Sequence, residues 1–354
     1  MIKKLKVGGG KFQYHDQKFD YDLSIFNRRT KLFLKYAWNE SRNTYTEEFE
    51  TLTGWHRWRI VRFLDLVWCN YRYGCPTNNY VSFQFYRLNS CTRNSFYTFR
   101  RRIKLIQKRF DFPTYNLFKS KNRFNELFKD FIHREWLYID GSTTEDQITS
   151  FLDKHETAIL KPVDESCGKG ITKIHKEDKD GIADILENVR NGHFFMLEEV
   201  VENCDELKKI NPSSLNTLRV NTFIDKKGTI HLLDSAIRVG SGSSVVDNLY
   251  NGGVIYPISQ QGFISNYGQN HKCEKFYNHP STGVKMIGMD IPRFDTLRDY
   301  ILKVAAVCPK ARLVGWDVAI TPSGFELIEG NMGSSEDALQ TDFVGKYQFI
   351  INNW

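Results

Sequence analysis

The sequence predicts an α+β protein, preceded by a mainly helical, basic and aromatic-rich N-terminal region. Of its 354 residues, the first 113 contain 25 of the 50 aromatic residues. They also carry 22 Lys and Arg against 9 Asp and Glu, whereas the remainder carries 27 against 33, so a net charge of +13 is followed by one of −6. Beyond residue 113, short apolar segments typical of strands alternate with segments of helical spacing. We therefore expect a helical region over 1–112 and an α+β domain over 113–354.

The composition excludes several classes of protein. An apolar fraction of 41% and a charged fraction of 26% are ordinary for a globular chain and argue against global disorder. No run approaches the roughly 18 apolar residues that a membrane-spanning helix needs, and the N-terminus lacks the apolar core of a signal peptide. Seven scattered cysteines without a CxxC pair argue against a disulfide framework. These features predict a cytoplasmic protein.

The N-terminal region shows helical spacing interrupted by a turn cluster. Apolar residues recur between Trp58 and Trp68, and Gly74–Asn79 then breaks the pattern. Arg100–Arg109 follows as the most basic stretch of the chain. The simplest interpretation of this stretch is a solvated helix face. The alternative is a landing surface for a polyanion, an acidic glycan or a phospholipid headgroup. Nucleic acid is disfavoured, because no recognisable nucleic-acid-binding motif accompanies the arginines.

The domain that follows is predicted to contain several antiparallel hairpins rather than regular βαβ repeats. Apolar runs predict strands over 158–161, 194–197, 219–224 and 230–233, whereas helical spacing is found over 121–131, 182–189 and 296–307. Asp225–Gly228 has the composition of a hairpin turn between two of these strands.

A lysine and a small-residue loop form the first candidate site. Lys161 ends a predicted strand, and the segment Ser166-Cys167-Gly168-Lys169-Gly170 follows it. Such a loop can place backbone N–H groups and a cation around phosphate oxygens. It is not a Walker A motif, because the spacing differs and neither Ser nor Thr follows the lysine. An ordinary hairpin turn explains the segment equally well.

Two carboxylates and an amide near the C-terminus form the second candidate site. Two apolar strands flank a Pro-Ser-Gly turn, so pairing brings Asp317 nearly opposite Glu329, with Asn331 just beyond. Hard oxygen donors of this kind suit Mg²⁺, and two carboxylates so close would repel each other without a cation. The alternative is a pair of outward-facing surface acids, which the apolar neighbours make less attractive. The pattern therefore favours a metal site.

Three further segments carry residues suited to a nucleotide or an anion. Glu198–Val201 ends a strand in acids beside two valines, which can offer backbone polar groups and an apolar wall to adenine. Asp205 is placed to reach ribose hydroxyls, although any surface acid has the same appearance in sequence. Arg219 and Arg238 lie in apolar strands, where arginines usually meet phosphate or carboxylate groups. The glycine-rich loop 240–253 is long enough to close over a substrate.

The order of these segments resembles the ATP-grasp superfamily, and within it the sugar-transfer-associated ATP-grasp proteins of bacterial surface-polysaccharide loci. The resemblance covers roughly residues 80–354. Four phrases carry it: Asn216–Arg219, Asp247–Gly253, His279–Gly283, and Gly315–Asp317 together with Glu329–Asn331. It implies two α+β subdomains that grip ATP, one over about 113–212 with the phosphate loop and hinge, the other over 213–354 with the metal site. The segment 165–167 departs from the family pattern, since many relatives have more glycine there.

The resemblance also implies a role for each candidate residue. The nucleotide would be held by Lys121 and Lys161 at the phosphates, by Ser166, Gly168, Lys169 and Gly170 over them, by Glu198, Glu199 and Val201 at adenine, and by Asp205 at ribose. One or two Mg²⁺, for which Mn²⁺ can substitute, would be bound by Asp317, Glu329 and Asn331. The catalytic step would fall to Arg219, Arg238, Asn216 and Asp247.

The activity implied by the resemblance is an ATP-dependent ligation that joins a carboxylate to an amine through an acyl phosphate. The implied partners are ATP, an acidic sugar or glycan intermediate, and a small amine or amino acid. The basic N-terminal region would contact an anionic membrane at its inner face or a lipid-linked glycan. Two alternatives stay open: a phosphotransferase acting on a sugar hydroxyl, and a non-catalytic protein that binds a glycan or a membrane surface. Intact metal-ligand types at Asp317, Glu329 and Asn331 count against the last of these.

Overall fold

The structure is a computed structural model that describes residues 57–163, 170–242 and 252–354, together with Leu34, Lys35 and Trp38. Helices form its N-terminal part, and two antiparallel sheets form the remainder. The helices before the first strand are α1 (Arg57–Tyr73), α2 (Thr77–Ser82), α3 (Ser90–Ser95), α4 (Phe99–Arg109), α5 (Phe112–Lys119) and α6 (Lys121–Leu127), with a 3₁₀ turn at Phe85–Arg87. The predicted mainly helical N-terminal region is confirmed for these residues.

Side-chain caps explain where several of these helices begin. Asn89 accepts a hydrogen bond from the Thr92 backbone N–H at the start of α3, and Asp111 does the same for Thr114 at the start of α5. Each cap satisfies an N–H group that the first helical turn leaves without a partner. Pro113 follows directly inside α5, where its missing N–H costs nothing.

The first sheet has four antiparallel strands in the order β1-β4-β2-β3. Apolar side chains of the strands and of two helices form its core, which includes Ile148, Leu160, Ile185 and Leu197. The elements of this unit are β1 (Trp136–Ile139), α7 (Glu145–His155), β2 (Thr157–Pro162), β3 (Thr172–His175), α8 (Lys179–Arg190) and β4 (Phe195–Glu199).

The second sheet has seven antiparallel strands in the order β11-β10-β5-β6-β7-β8-β9. Antiparallel pairing throughout both sheets agrees with the predicted hairpins. Its strands are β5 (Thr217–Ile224), β6 (Ile230–Val239), β7 (Val254–Ile258), β8 (Gly268–Gln269), β9 (Lys275–Phe276), β10 (Leu313–Ile320) and β11 (Phe325–Met332), and its helices are α9 (Asp205–Lys208), α10 (Phe294–Val307), α11 (Glu336–Leu339) and α12 (Tyr347–Asn353).

One face of the second sheet is covered by the largest apolar core. Trp316 on β10 is buried there, and its indole N–H donates to the Thr222 hydroxyl at 2.8 Å. Phe118 and Phe128 pack against the Trp316 ring, with centroids 5.8 and 5.4 Å away. Because successive side chains of a strand point to opposite faces, Asp317 next to Trp316 points to the other face. Apolar packing behind β10 therefore aims this carboxylate away from the core.

The N-terminal helices also make polar contacts with the segment that follows β11. Asn79 on α2 donates to the Asp337 carboxylate on α11 at 3.0 Å. The Gln340 side chain bonds both the backbone N–H and the carbonyl of Tyr97, at 2.7 and 2.9 Å. The described part of the helical region thus contacts the segment that follows β11. Across the described ranges, no helix is long and apolar enough to cross a membrane.

Candidate functional site

Asp317 and Glu329 lie directly opposite each other on the hairpin β10–β11, and a β-bulge places them there. The register near the turn pairs Val318 with Leu327, whereas one residue further Asp317 pairs with Glu329. Ile328 is therefore the extra residue of the bulge. A regular ladder would have placed Glu329 opposite Trp316 and turned its carboxylate to the core face. The hairpin predicted from sequence is present, and the bulge completes the pairing of the two acids.

Two arginines, one on β5 and one on β6, donate hydrogen bonds to the Asp317 carboxylate. Arg219 on β5 donates through Nε at 2.5 Å and Nη2 at 2.8 Å, and Arg238 on β6 donates through Nη1 at 2.8 Å. Asp317 itself is only 2% exposed. Burial alone would raise the pKa of this carboxyl, but the two guanidinium groups outweigh burial and lower it to about 2. Asp317 is therefore ionised at every physiological pH.

Glu329 and Asn331 complete the group of oxygen donors. The Asn331 amide N–H donates to Glu329 at 2.8 Å and to Asp317 at 3.3 Å. Glu329 is solvent-accessible on the open side of the sheet, yet the surrounding protein desolvates it and the adjacent Asp317 repels its charge. Both effects raise the pKa of Glu329. A divalent cation would relieve this repulsion, and carboxylate and amide oxygens are ligand types that Mg²⁺ accepts. The assignment of Asp317, Glu329 and Asn331 to the metal stays a prediction. Within the described ranges, no group of three or more His, Cys, Asp or Glu side chains gathers as a metal cluster.

Lys161 and Glu198 form an ion pair on the first sheet. Lys161 Nζ on β2 donates to the Glu198 carboxylate on β4 at 2.5 Å. Glu198 is 3% exposed, and it also accepts a bond from Arg134 Nε at 2.8 Å. Burial opposes its charge, but Arg134 and Lys161 prevail and lower the pKa of Glu198 to about 2. This ion pair holds the lysine amine at the end of β2, where the resemblance assigns it to phosphate.

Lys121 joins Lys161 at the same strand end. Its Nζ donates to the carbonyls of Pro162 and Val163 at 2.8 and 3.2 Å. Gly170 also approaches this point, since a Cβ added there would lie 2.8 Å from Pro162 Cγ and its φ of +70° favours glycine. Two cations thus converge where the predicted phosphate loop begins. Ser166, Gly168 and Lys169 of that loop lie outside the described residues.

The remaining nucleotide residues lie at the end of β4 and beyond it. Glu199 ends the strand, and its carboxylate accepts a bond from the Glu135 backbone N–H at 3.0 Å. Val201 is half-buried, and Asp205 is exposed at the first position of α9. Their assignment to adenine and ribose stays a prediction.

The four residues expected to serve catalysis fall into different environments. Arg219 and Arg238 stand together at Asp317, as described above. Asn216, in contrast, is inaccessible to solvent, and its amide donates to the carbonyls of Leu207 and Asn211 at 3.0 Å each. This arrangement suits a residue that holds the chain leading into β5. Asp247 lies outside the described residues.

Arg134 is a central residue that the sequence analysis did not identify. It lies between α6 and β1, and its side chain is buried against both sheets. Besides Glu198 on β4, it bonds Glu326 on β11 through Nη1 at 2.7 Å. The Glu326 carboxylate also accepts the His133 N–H at 2.9 Å. The signal in the sequence was an arginine between the apolar residues 131–132 and 136–137.

Gly315 on β10 lies where neighbouring side chains leave no room for a Cβ atom. A Cβ there would lie 2.6 Å from Ser334 Oγ, 2.8 Å from Asn221 Oδ1 and 2.9 Å from Arg219 Cδ. Gly315→Ala is therefore expected to displace Arg219 and to lower the free energy of unfolding by about 1–3 kcal/mol. Gly324→Ala is the matched control, since no atom lies within 4 Å of its added Cβ. Denaturant unfolding of both variants checks this. Equal stabilities would contradict the tight packing.

Comparison with known proteins identifies the class of this two-sheet protein. A family model described as sugar-transfer associated ATP-grasp matches residues 100–342, more than half of the chain. The protein belongs to this family and has the ATP-grasp fold, as the resemblance in its sequence predicted. A search of curated proteins finds no match.

Several solved structures are distantly similar to this chain. The ATP-grasp ligase PsnB complexed with minimal precursor, Mg and ADP is 14% identical, with 63% of this chain and 52% of that chain covered and a TM-score of 0.37. D-alanyl-alanine synthetase A from Vibrio cholerae O1 biovar eltor is 14% identical, with 67% and 60% covered and a TM-score of 0.39. The ADP complex of purK, N5-carboxyaminoimidazole ribonucleotide synthetase, is 10% identical, with 67% and 52% covered and a TM-score of 0.45. The chain thus spans little more than half of the length of these structures.

Proposed function

We propose that the protein is an ATP- and Mg²⁺-dependent ligase that joins a carboxylate to an amine through an acyl phosphate. The observation that carries the proposal is the facing pair Asp317 and Glu329 on one sheet, with Arg219 and Arg238 bonded to Asp317. Membership of the ATP-grasp family supports ATP as the substrate that meets this site. On the other sheet, Lys121 and Lys161 converge at the end of β2 and supply positive charge for phosphate groups.

The chain contributes to this reaction mainly by positioning groups and neutralising charge. The carboxylate substrate attacks the γ-phosphorus, ADP leaves, and the amine then displaces phosphate from the acyl carbon. Arg219 and Arg238 lie beside the facing acids Asp317 and Glu329, and they can also bind the phosphoryl oxygens of the acyl phosphate. When bound at Asp317, Glu329 and Asn331, Mg²⁺ would neutralise the β- and γ-phosphate charge. Lys121 and Lys161 would orient the same phosphates from the first sheet.

We propose an acidic sugar or glycan intermediate as the carboxylate and a small amine or amino acid as the nucleophile. The family description, sugar-transfer associated, supports a role in the modification of surface polysaccharides. A phosphotransferase that acts on a sugar hydroxyl remains the second candidate, because the same lysines, arginines and cation would serve it.

Product analysis distinguishes the two reactions. The protein is incubated with Mg-ATP, a panel of uronic acids and a panel of amines, and nucleotides and sugars are separated by mass. The ligase requires both sugar acid and amine, and it forms ADP, phosphate and an amide in equal amounts. ADP together with a phosphorylated sugar, formed without any amine, would overturn the ligase in favour of the phosphotransferase.

We further propose that the helical region contacts an anionic lipid surface. Residues 57–113 carry 12 Lys and Arg against two Asp. Arg101 and Arg102 of α4 bond Asn94 and Glu336, whereas other basic residues of this helix are exposed. Helix α1 adds an outward apolar face, on which the exposed side chains are Ile60, Val61, Leu64, Trp68 and Tyr71. Basic and aromatic side chains together suit the headgroup region of a bilayer.

Co-sedimentation with vesicles tests the membrane contact. Binding is expected with vesicles that contain phosphatidylglycerol and is expected to weaken in Lys104→Glu/Lys108→Glu and in Trp68→Ser. Lys303→Glu on α10 is the charge control outside the helical region. Equal binding to neutral and anionic vesicles, or none to either, would exclude the proposed lipid partner.

A further inference from the structure

The bulge at Ile328 decides which way Glu329 points, and Arg134 bonds the backbone of that bulge. Arg134 Nη1 donates to the Leu327 carbonyl at 2.7 Å, and Nη2 donates to the Ile328 carbonyl at 3.2 Å. Among the described strands, β11 is the edge of its sheet, and these two carbonyls bond Arg134 instead of a further strand. The guanidinium group takes the place of that strand at the irregular point of the ladder.

Other contacts hold Arg134 itself in place. Its Nε bonds Glu198, its Nη1 also bonds Glu326, and its backbone N–H donates to Glu326 at 3.3 Å. Nearby, the Phe131 carbonyl accepts the Leu327 N–H at 3.1 Å and the Tyr300 hydroxyl at 3.1 Å. The segment 131–135 thus lies along the edge of β11 on one side and reaches the end of β4 on the other. The planar guanidinium group of Arg134 bonds Glu198, Glu326 and the two bulge carbonyls at once. A lysine, with a single amine, cannot make this set of bonds.

Bulges bend a strand and re-aim side chains, and they leave the extra residue unpaired where the ladder is disrupted. We propose that Arg134 is a positioning residue for the metal site: it holds the Ile328 bulge and thereby keeps the Glu329 carboxylate opposite Asp317. The inference rests on the proposed function, since it takes Asp317 and Glu329 as the cation ligands. In this proposal Arg134 acts through the bulge and does not itself bind the nucleotide or the cation.

The dependence of ADP affinity on Mg²⁺ tests this role. Calorimetry measures the affinity for ADP in EDTA and in excess Mg²⁺. The ratio of the affinity in Mg²⁺ to the affinity in EDTA reports the cation site. A wild type that binds ADP equally in both conditions contradicts the proposed function itself. If the wild type shows a ratio above one, Arg134→Lys is expected to reduce that ratio about tenfold or to abolish it. Its affinity in EDTA is expected to stay unchanged.

Two results for Arg134→Lys would overturn the inference. An unchanged ratio in a folded variant would show that Arg134 only stabilises the fold. A fall in both affinities by the same factor would show that it acts on the nucleotide through Glu198 and Lys161. Arg93→Lys is the matched control, because Arg93 makes a similar two-bonded ion pair with Asp65, at 2.6 and 2.9 Å, within the helical region.

Deletion of Ile328 provides a second variant that does not depend on Arg134→Lys folding. Without this residue, a regular ladder pairs Val318 with Leu327 and Asp317 with Glu329, so the two acids still face each other. The deletion alone is therefore expected to keep the wild-type ratio. In that background Arg134→Lys is expected to leave the ratio unchanged, since no bulge remains to be held. Loss of the ratio on deletion, or an equal loss from Arg134→Lys in both backgrounds, would overturn the inference.

Discussion

Asp317→Asn is expected to lower the free energy of unfolding by about 3–5 kcal/mol without any ligand present. The carboxylate is the shared partner of two guanidinium groups, and the side chains of Arg219 and Arg238 are only 9% and 12% exposed. Asparagine has nearly the same shape but no charge, so both arginines would lose the charged carboxylate that they share. Glu329 is expected to compensate in part, because loss of Asp317 removes the repulsion that raises its pKa.

Urea unfolding of the wild type and of Asp317→Asn measures this effect. Glu202→Gln is the control, because it removes a carboxylate from an exposed ion pair with Lys208, where the Glu202 side chain is 66% exposed. Such surface pairs contribute about 0–1 kcal/mol. If Asp317→Asn were as stable as this control, the two arginines would not depend on Asp317, and the described charge arrangement would be wrong.

Arg134→Met is the second substitution with a large expected effect, again about 3–5 kcal/mol of unfolding free energy. Methionine can fill much of the volume, but it leaves Glu198 and Glu326 buried without Arg134. Lys161 still neutralises Glu198, so the cost falls mainly on Glu326, whose side chain is 5% exposed. The bulge carbonyls would lose their donors as well.

A double variant separates the two parts of this loss. Arg134→Met/Glu326→Leu removes the stranded carboxylate and is expected to recover part of the stability, because an apolar pair avoids the burial of an unpaired charge. Lys154→Met is the control, since it breaks the exposed pair between Lys154 on α7 and Glu135 just before β1. Thermal unfolding of all four proteins is the measurement. No recovery in the double variant would contradict the assignment of the cost to Glu326.

The sequence was sufficient to predict the fold and the pairing of the hairpin that carries Asp317 and Glu329. Apolar runs around Asp317 and Glu329, with a Pro-Ser-Gly turn between them, specify an antiparallel pair on local grounds alone. The antiparallel hairpin β5–β6 followed in the same way from the turn at Asp225–Gly228. The helical region and the family were predicted as well, and both are confirmed.

What the sequence could not show depends on contacts between distant segments. The bulge at Ile328 cannot be recognised from the composition of the hairpin. A regular register from the same turn would still pair the two strands and would only exchange which side chains of β11 lie on each face of the sheet. Arg134 lies 64 residues before Glu198 and 192 before Glu326, and only the fold brings these three together. Asn216 shows the reverse case: a residue in a family phrase proved to be fully buried among backbone carbonyls.

We propose that one Mg-nucleotide binds between the two sheets, held by Lys121 at the start of α6, by Lys161 on β2 and by the acids of β10 and β11. Thermal unfolding with ATP, in Mg²⁺ and in EDTA, tests this proposal on the wild type, Lys161→Ala and Glu329→Gln, with Lys154→Ala as control. At one hundred times the dissociation constant, Mg-ATP should stabilise the wild type and the control by about 2.7 kcal/mol. Both site variants should gain much less. If no nucleotide shifts the wild type, or if all four proteins shift equally, the proposed nucleotide site is wrong.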